Sequence, residues 1–133
     1  MNGTNALGLS WGAVAEGRDI NVLVVDDQEA IRDTLQIALD DEGFSVECAS
    51  NGREALEILE RWTPCVILLD LMMPVMDGWA FCAEQQRTGD HTPIVLLSAA
   101  GRLDEQRIAL GAAGVLSKPF DIDRVISTIE QVC

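Results

Sequence analysis

Tyrosine is absent from this chain of 133 residues, histidine and lysine occur once each, and aromatic side chains make up only 5%. The lone histidine, His91, sits in a Gly89-Asp90-His91-Thr92-Pro93 connection and reads as a loop residue, too solitary to build a phosphotransfer relay. Positive charge is scarce as well, with 9 basic against 22 acidic residues and a formal charge of -13. Such a field repels phosphate backbones and anionic lipid surfaces, which argues against nucleic acid or membrane as a direct ligand and favours cations and basic partner patches. No apolar run is long enough to cross a bilayer. Nothing basic precedes Arg18, and Gly8, Ser10 and Gly12 interrupt the mildly apolar stretch from Ala6 to Ala15, so a secretory signal is excluded and residues 1–19 read as a flexible leader. Close cysteine pairs are missing too: Cys48, Cys65, Cys82 and Cys133 lie far apart and are expected to be reduced, mostly buried thiols of a cytoplasmic protein. What remains is ordinary globular material, 48% hydrophobic and 23% charged, enough for one domain over 20–133.

From residue 20 onward, short apolar runs alternate with amphipathic stretches in five strand–helix units, the pattern of an α/β fold around a parallel sheet. Ile20 to Val25, Cys65 to Leu69 and Ile94 to Leu97 are nearly unbroken in apolar character, as strands covered on both faces must be. Phe44 to Cys48 alternates and Gly114 to Ser117 is short, which places these two at the edges. Ile31, Leu35, Ala38 and Leu39 share one helical face, as do Ala55, Leu56 and Leu59 after an Asn51-to-Glu54 capping box. The stripe Ile122, Val125, Ile126, Ile129 and Val132 marks the last helix, whereas Leu103 to Ala113 is only weakly amphipathic and is expected to be mobile or partner-facing. Trp79 and Phe81 are expected to pack against the sheet.

Right-handed crossovers put every strand's C-terminal end on one edge, where ligands of such sheets bind. Four of the five ends are polar: Asp26-Asp27, Asp70, Ser98 and Lys118-Pro119. With the strands in the order 2-1-3-4-5, about 4.8 Å apart, the three aspartates and Ser98 crowd together and the long Lys118 side chain reaches in from the edge. Two ionised carboxylates ~5 Å apart repel by about 3 kcal/mol at an effective dielectric of ~20, so the cluster calls for a cation. Hard oxygen ligands with open positions suit Mg²⁺, whose coordination is commonly completed by a phosphate. Asp70 is then the nucleophile for a phosphoryl group, with Ser98 and Lys118 bonding the transferred oxygens.

Val24-Val25-Asp26-Asp27, the run Leu69-Asp70-Leu71-Met72-Met73-Pro74-Val75-Met76-Asp77-Gly78, Leu97-Ser98-Ala99-Ala100 and Ser117-Lys118-Pro119-Phe120 together resemble the receiver domain of bacterial two-component response regulators, of the stand-alone type, over residues 20–133. The resemblance implies a (βα)5 flavodoxin-like, doubly wound five-stranded sheet. It further implies a phospho-accepting switch of a phosphorelay: Asp70 receives the group from the phosphohistidine of a sensor histidine kinase or phosphotransfer protein. Mg²⁺ would be held by Asp27 and Asp70, by Asp26 directly or through water, and by the backbone carbonyl of Met72. Ser98 would bond a phosphoryl oxygen and move inward, Ala99 would leave space and offer its N–H, Lys118 would pair with the phosphoryl group, and Lys118-Pro119 would be a cis peptide. Such a protein is not an enzyme on other substrates; it promotes only its own phosphorylation and dephosphorylation. The fourth helix, fifth strand and fifth helix form the face where the family docks downstream partners or dimerises.

The chain departs from the family at Val115, three residues before the lysine, where Tyr or Phe usually couples to the hydroxyl switch. That departure motivates the alternative of a degenerate receiver serving as a phosphorylation-independent docking module. A flavodoxin-like electron carrier is disfavoured because Asp26-Asp27-Gln28-Glu29 would repel a flavin phosphate, and a haloacid-dehalogenase phosphatase because Met72 stands where its second aspartate belongs.

Overall fold

The protein is described by a computed structural model over residues 20–98 and 103–133. The leader expected over 1–19, Ala99 and Ala100 lie outside the described residues. Five strands and five helices alternate: β1 (Asn21–Val25), α1 (Glu29–Asp41), β2 (Ser45–Ala49), α2 (Gly52–Leu59), β3 (Val66–Asp70), α3 (Gly78–Thr88), β4 (Ile94–Ser98), α4 (Leu103–Leu110), β5 (Gly114–Ser117) and α5 (Ile122–Val132). All pairings are parallel and the sheet order is β2-β1-β3-β4-β5, the doubly wound (βα)5 arrangement expected from the sequence.

The two-residue period of each strand divides the interior into two cores. Leu23, Val25, Ile67, Leu69 and Leu96 face α2 and α3, where Ala55, Ile58 and the fully buried Phe81 meet them. Val22, Val24, Val66, Leu68, Val95 and Leu97 face α1 and α5, against Leu35, Leu39, Val125 and Ile129. Strands β3 and β4 are buried at every residue, which is why their sequences show no polar alternation until the last position. The capping box forms at α2, where Asn51 Oδ1 accepts from the Glu54 N–H at 3.0 Å while Glu54 Oε1 accepts from Ser50 N at 2.7 Å. Trp79 departs from its expectation: it is 41% exposed while Phe81 is fully buried. Positions two apart on a helix point roughly 200° away from each other, so only one of the pair can enter the core.

The cysteines require a correction. Cys48 and Cys82 are free, but Cys65 and Cys133 are joined in a disulfide with 5.9 Å between their Cα atoms. Sequence spacing gave no hint of it, because the partners are separated by 68 residues. The topology brings them together. Helix α5 runs back antiparallel to the strands, so the residue that follows it arrives where β3 begins.

Candidate functional site

Strand register places the site. Val25 pairs with Leu69, so the next residues outward, Asp26 and Asp70, emerge side by side at the edge where both strands end. Ser98 ends β4 and pairs with Ser117, after which Lys118 leaves β5 and donates its N–H to the Ser98 carbonyl at 3.0 Å. The Lys118–Pro119 peptide is cis, as the resemblance implied. Asp26 is fully buried, Asp70 and Ser98 nearly so, and Asp27 is exposed at the mouth.

Carboxylate oxygens from Asp26, Asp27 and Asp70 all lie within 4.8 Å of one another. The Lys118 ammonium enters this cluster, 2.8 Å from Asp26 Oδ2 and 3.4 Å from Asp70 Oδ2, and it donates to Gln28 Oε1 at 3.3 Å. Its charge balances only part of the negative cluster. Asp26 Oδ1 accepts from the Gln28 N–H at 2.9 Å, and Asp70 Oδ1 accepts from the Met72 N–H at 3.1 Å. Asp26 Oδ2, by contrast, meets the ammonium as an ion pair without hydrogen-bond alignment and has no hydrogen-bond partner among the described residues. A buried acceptor left in that condition, in a cluster of hard oxygen donors, is what a small divalent cation would satisfy. The donor set therefore fits Mg²⁺. Asp27, Met72 and Asp77 line one open cleft of about 310 Å³, and the Met72 N–H bond to Asp70 Oδ1 keeps that stretch of backbone beside the Asp70 carboxylate.

Burial, above all, pushes the Asp70 carboxyl above its ordinary range. The Met72 N–H pulls it back down, the neighbouring Asp26 carboxylate adds to the rise, and Lys118 opposes it. Three further residues to which the sequence reading gave no role, Asp77 among them although it lies in the motif run from Leu69, also shape the site. Gln28 bridges to Lys118; Arg32 donates to the Asp26 carbonyl at 2.9 Å from one turn into α1; Asp77 caps α3 by accepting from Ala80 N at 2.9 Å. Each follows a motif residue by only a few positions, and side-chain reach within a loop carries no periodic signal. Gly78 is constrained more tightly, since a Cβ there would stand 2.7 Å from the Leu71 Cα and 2.9 Å from the Asp70 carbonyl oxygen, so α3 can start this close to β3 only with glycine.

A parallel five-stranded sheet in this order is the flavodoxin-like, doubly wound class of fold, and its acidic residues and lysine gather at the C-terminal edge where ligands of such sheets bind. Residues 22–130 match the family described as "Response regulator receiver domain", and the chain belongs to that family of two-component signalling proteins. Among curated relatives, the response regulator MprA of Mycolicibacterium vanbaalenii is 39% identical over 110 residues, covering 81% of this chain and 48% of the relative. The MprA of Mycobacterium leprae is 39% identical over 112 residues, with 83% and 49% covered. The chain thus spans about half the length of these relatives. Among solved structures, the chemotaxis response regulator CheY4 of Vibrio cholerae superposes with a TM-score of 0.79 at 34% identity, over 87% of this chain and all of that one. The Francisella response regulator 1452 receiver domain gives the same TM-score at 28% identity, over 86% and 96%.

Proposed function

We infer that this chain is a phospho-accepting switch in which Asp70 takes a phosphoryl group from the phosphohistidine of a sensor histidine kinase or a phosphotransfer protein. The observation that carries the reading is the convergence of three carboxylates and the Lys118 ammonium on one sheet edge. An Asp70 carboxylate oxygen forms the new bond to phosphorus as the P–N bond to the donor imidazole breaks, and the imidazole nitrogen retains the electron pair and takes up a proton. Asp26, Asp27, Asp70 and the Met72 carbonyl would hold Mg²⁺, which when bound supplies charge neutralisation for the incoming phosphoryl oxygens. Lys118 is already within 3.4 Å of Asp70 and needs little movement to pair with the transferred group; Ser98 sits at the adjacent strand end, and the resemblance assigns the next residue in the sequence, Ala99, the role of offering its N–H. The chain turns over no substrate other than its own Asp70, and it works in the cytoplasm, where its donors present their phosphohistidines. Among the described residues no helix is long and apolar enough to cross a membrane.

Intact mass after incubation with Mg²⁺ and acetyl phosphate tests this directly. The wild type should gain one phosphoryl group and Asp70→Asn none. No gain in the wild type would discard the phosphoacceptor reading in favour of a docking module, the role that Val115 in place of an aromatic side chain would then explain.

A further inference from the structure

The Cys65–Cys133 bond joins two segments that also meet at the far pole of the sheet. Cys65 immediately precedes β3, the strand that ends in Asp70; Cys133 caps α5, the helix that follows Lys118 by way of Pro119, Phe120 and Asp121. Lys118 and Asp70 close the other end at 3.4 Å. Helix α5 is therefore held by an ion pair near its start and a covalent bond at its finish. Packing alone holds its last turns unevenly. Val125 and Ile129 are fully buried, but a cleft of about 490 Å³ opens between β5 and α5, lined by Val115, Thr128, Gln131 and Val132 among others.

We propose that Cys65–Cys133 is a reversible redox lock on α5, opened and closed by thiol–disulfide exchange with a low-molecular-weight thiol of the glutathione class. Cys133 is exposed and Cys65 half-buried, so an incoming thiolate reaches the Cys133 sulfur. The S–S bond breaks, a mixed disulfide forms on Cys133, and Cys65 leaves as a thiolate that takes a proton from water. A second thiolate attacks the external sulfur of that mixed disulfide, releasing Cys133 as a thiolate. The protein cystine has then accepted two electrons, and two external thiols have become one external disulfide. Oxidation runs the same steps in reverse, with the external disulfide as oxidant. The other two cysteines stand aside: burial pushes the Cys48 and Cys82 thiols up to about 11, leaving them protonated and poorly nucleophilic at neutral pH. In a reducing compartment, disulfides that do form are usually transient and regulatory, which is the behaviour proposed.

The lock is a property of the polypeptide and does not depend on phosphorylation, so its test needs no phosphodonor. Wild-type protein is equilibrated in millimolar glutathione buffers of varied reduced-to-oxidised ratio, then denatured and alkylated for intact mass. Native samples from the same buffers go to amide hydrogen exchange and thermal melting. Two alkyl groups should be added at the oxidised end and four at the reduced end, reversibly. Reduction should speed exchange in the last turn of α5 at least tenfold and lower the melting temperature by about 10 °C. Cys133→Ser, with three cysteines left, should take three alkyl groups in every buffer and should exchange and melt like the reduced wild type. Failure of glutathione to break or re-form the bond, or equal α5 exchange in the two states, would overturn the proposal.

Discussion

Asp26 exposes no surface, and among the described residues its Oδ2 atom has the Lys118 ammonium as an ion-pair partner and no hydrogen bond. Removing one member of such a cluster shifts the others, and the direction can be worked out at Asp70. Its carboxyl is raised in the folded chain, chiefly by burial. Below about pH 4 the group is protonated both folded and unfolded and costs nothing. As pH rises through the unfolded value and then the higher folded value, the native state keeps its proton longer, stability falls, and the loss is complete above the folded value. Asp70→Asn should therefore raise the stability of the metal-free protein at pH 7, with the gain vanishing below about pH 4, as read from urea midpoints across pH. Mg²⁺ should raise the melting temperature of the wild type by neutralising the same repulsion, and the rise should shrink in Asp27→Ala, whose carboxylate stands exposed at the mouth of the site. The charged residues of this site could be read from the sequence because they interrupt apolar runs at strand ends. Gln28 and Arg32 could not, since an exposed glutamine and a helical arginine look like any other surface residues until a lysine or a carbonyl is found opposite them.

Between β3 and α3 the chain makes a turn that its sequence does not favour. Val75 has φ of 67°, and the Met76 N–H bonds back to the Pro74 carbonyl at 2.7 Å, closing a three-residue turn on a β-branched side chain. The turn directs the Met76 carbonyl to the Gly52 N–H at 3.0 Å, where α2 starts, so this loop ties the site to a neighbouring helix. Val75 is 75% exposed and gains little from burial. Val75→Gly should stabilise the protein by about 1 kcal/mol in denaturant titration, the left-handed cost less the entropy glycine brings to the unfolded chain. Nothing in the run Met73-Pro74-Val75-Met76 announces positive φ, whereas α1, α2 and α5 were legible from their periodicity. The stripe of α5 and the capping box of α2 both form where spacing placed them. Helix α4 matches its weak amphipathicity, leaving Ile108 71% exposed. Edge and central strands were separable because burial on two faces removes polar alternation and burial on one preserves it.

Across the whole molecule, the net charge of -13 is a field that any partner must meet. The disulfide acts on the same scale: with partners 68 residues apart, the chain-entropy account assigns it roughly 4 kcal/mol of stabilisation. It was illegible in the sequence because only the finished topology brings those two positions together. It also divides the chain under tension. A force applied between residue 20 and residue 133 passes straight across the bond, so β3, α3, β4, α4, β5 and α5 carry none of it while the bond is intact. Only residues 20–65 can be drawn out, a contour of roughly 160 Å, against roughly 400 Å once the bond is reduced. In a single-molecule pulling experiment the oxidised protein should show the short extension alone. Both Asp70 and Lys118 would ride unstretched inside a covalent ring, while the strand that leads into Asp26 and Asp27 is pulled away from them.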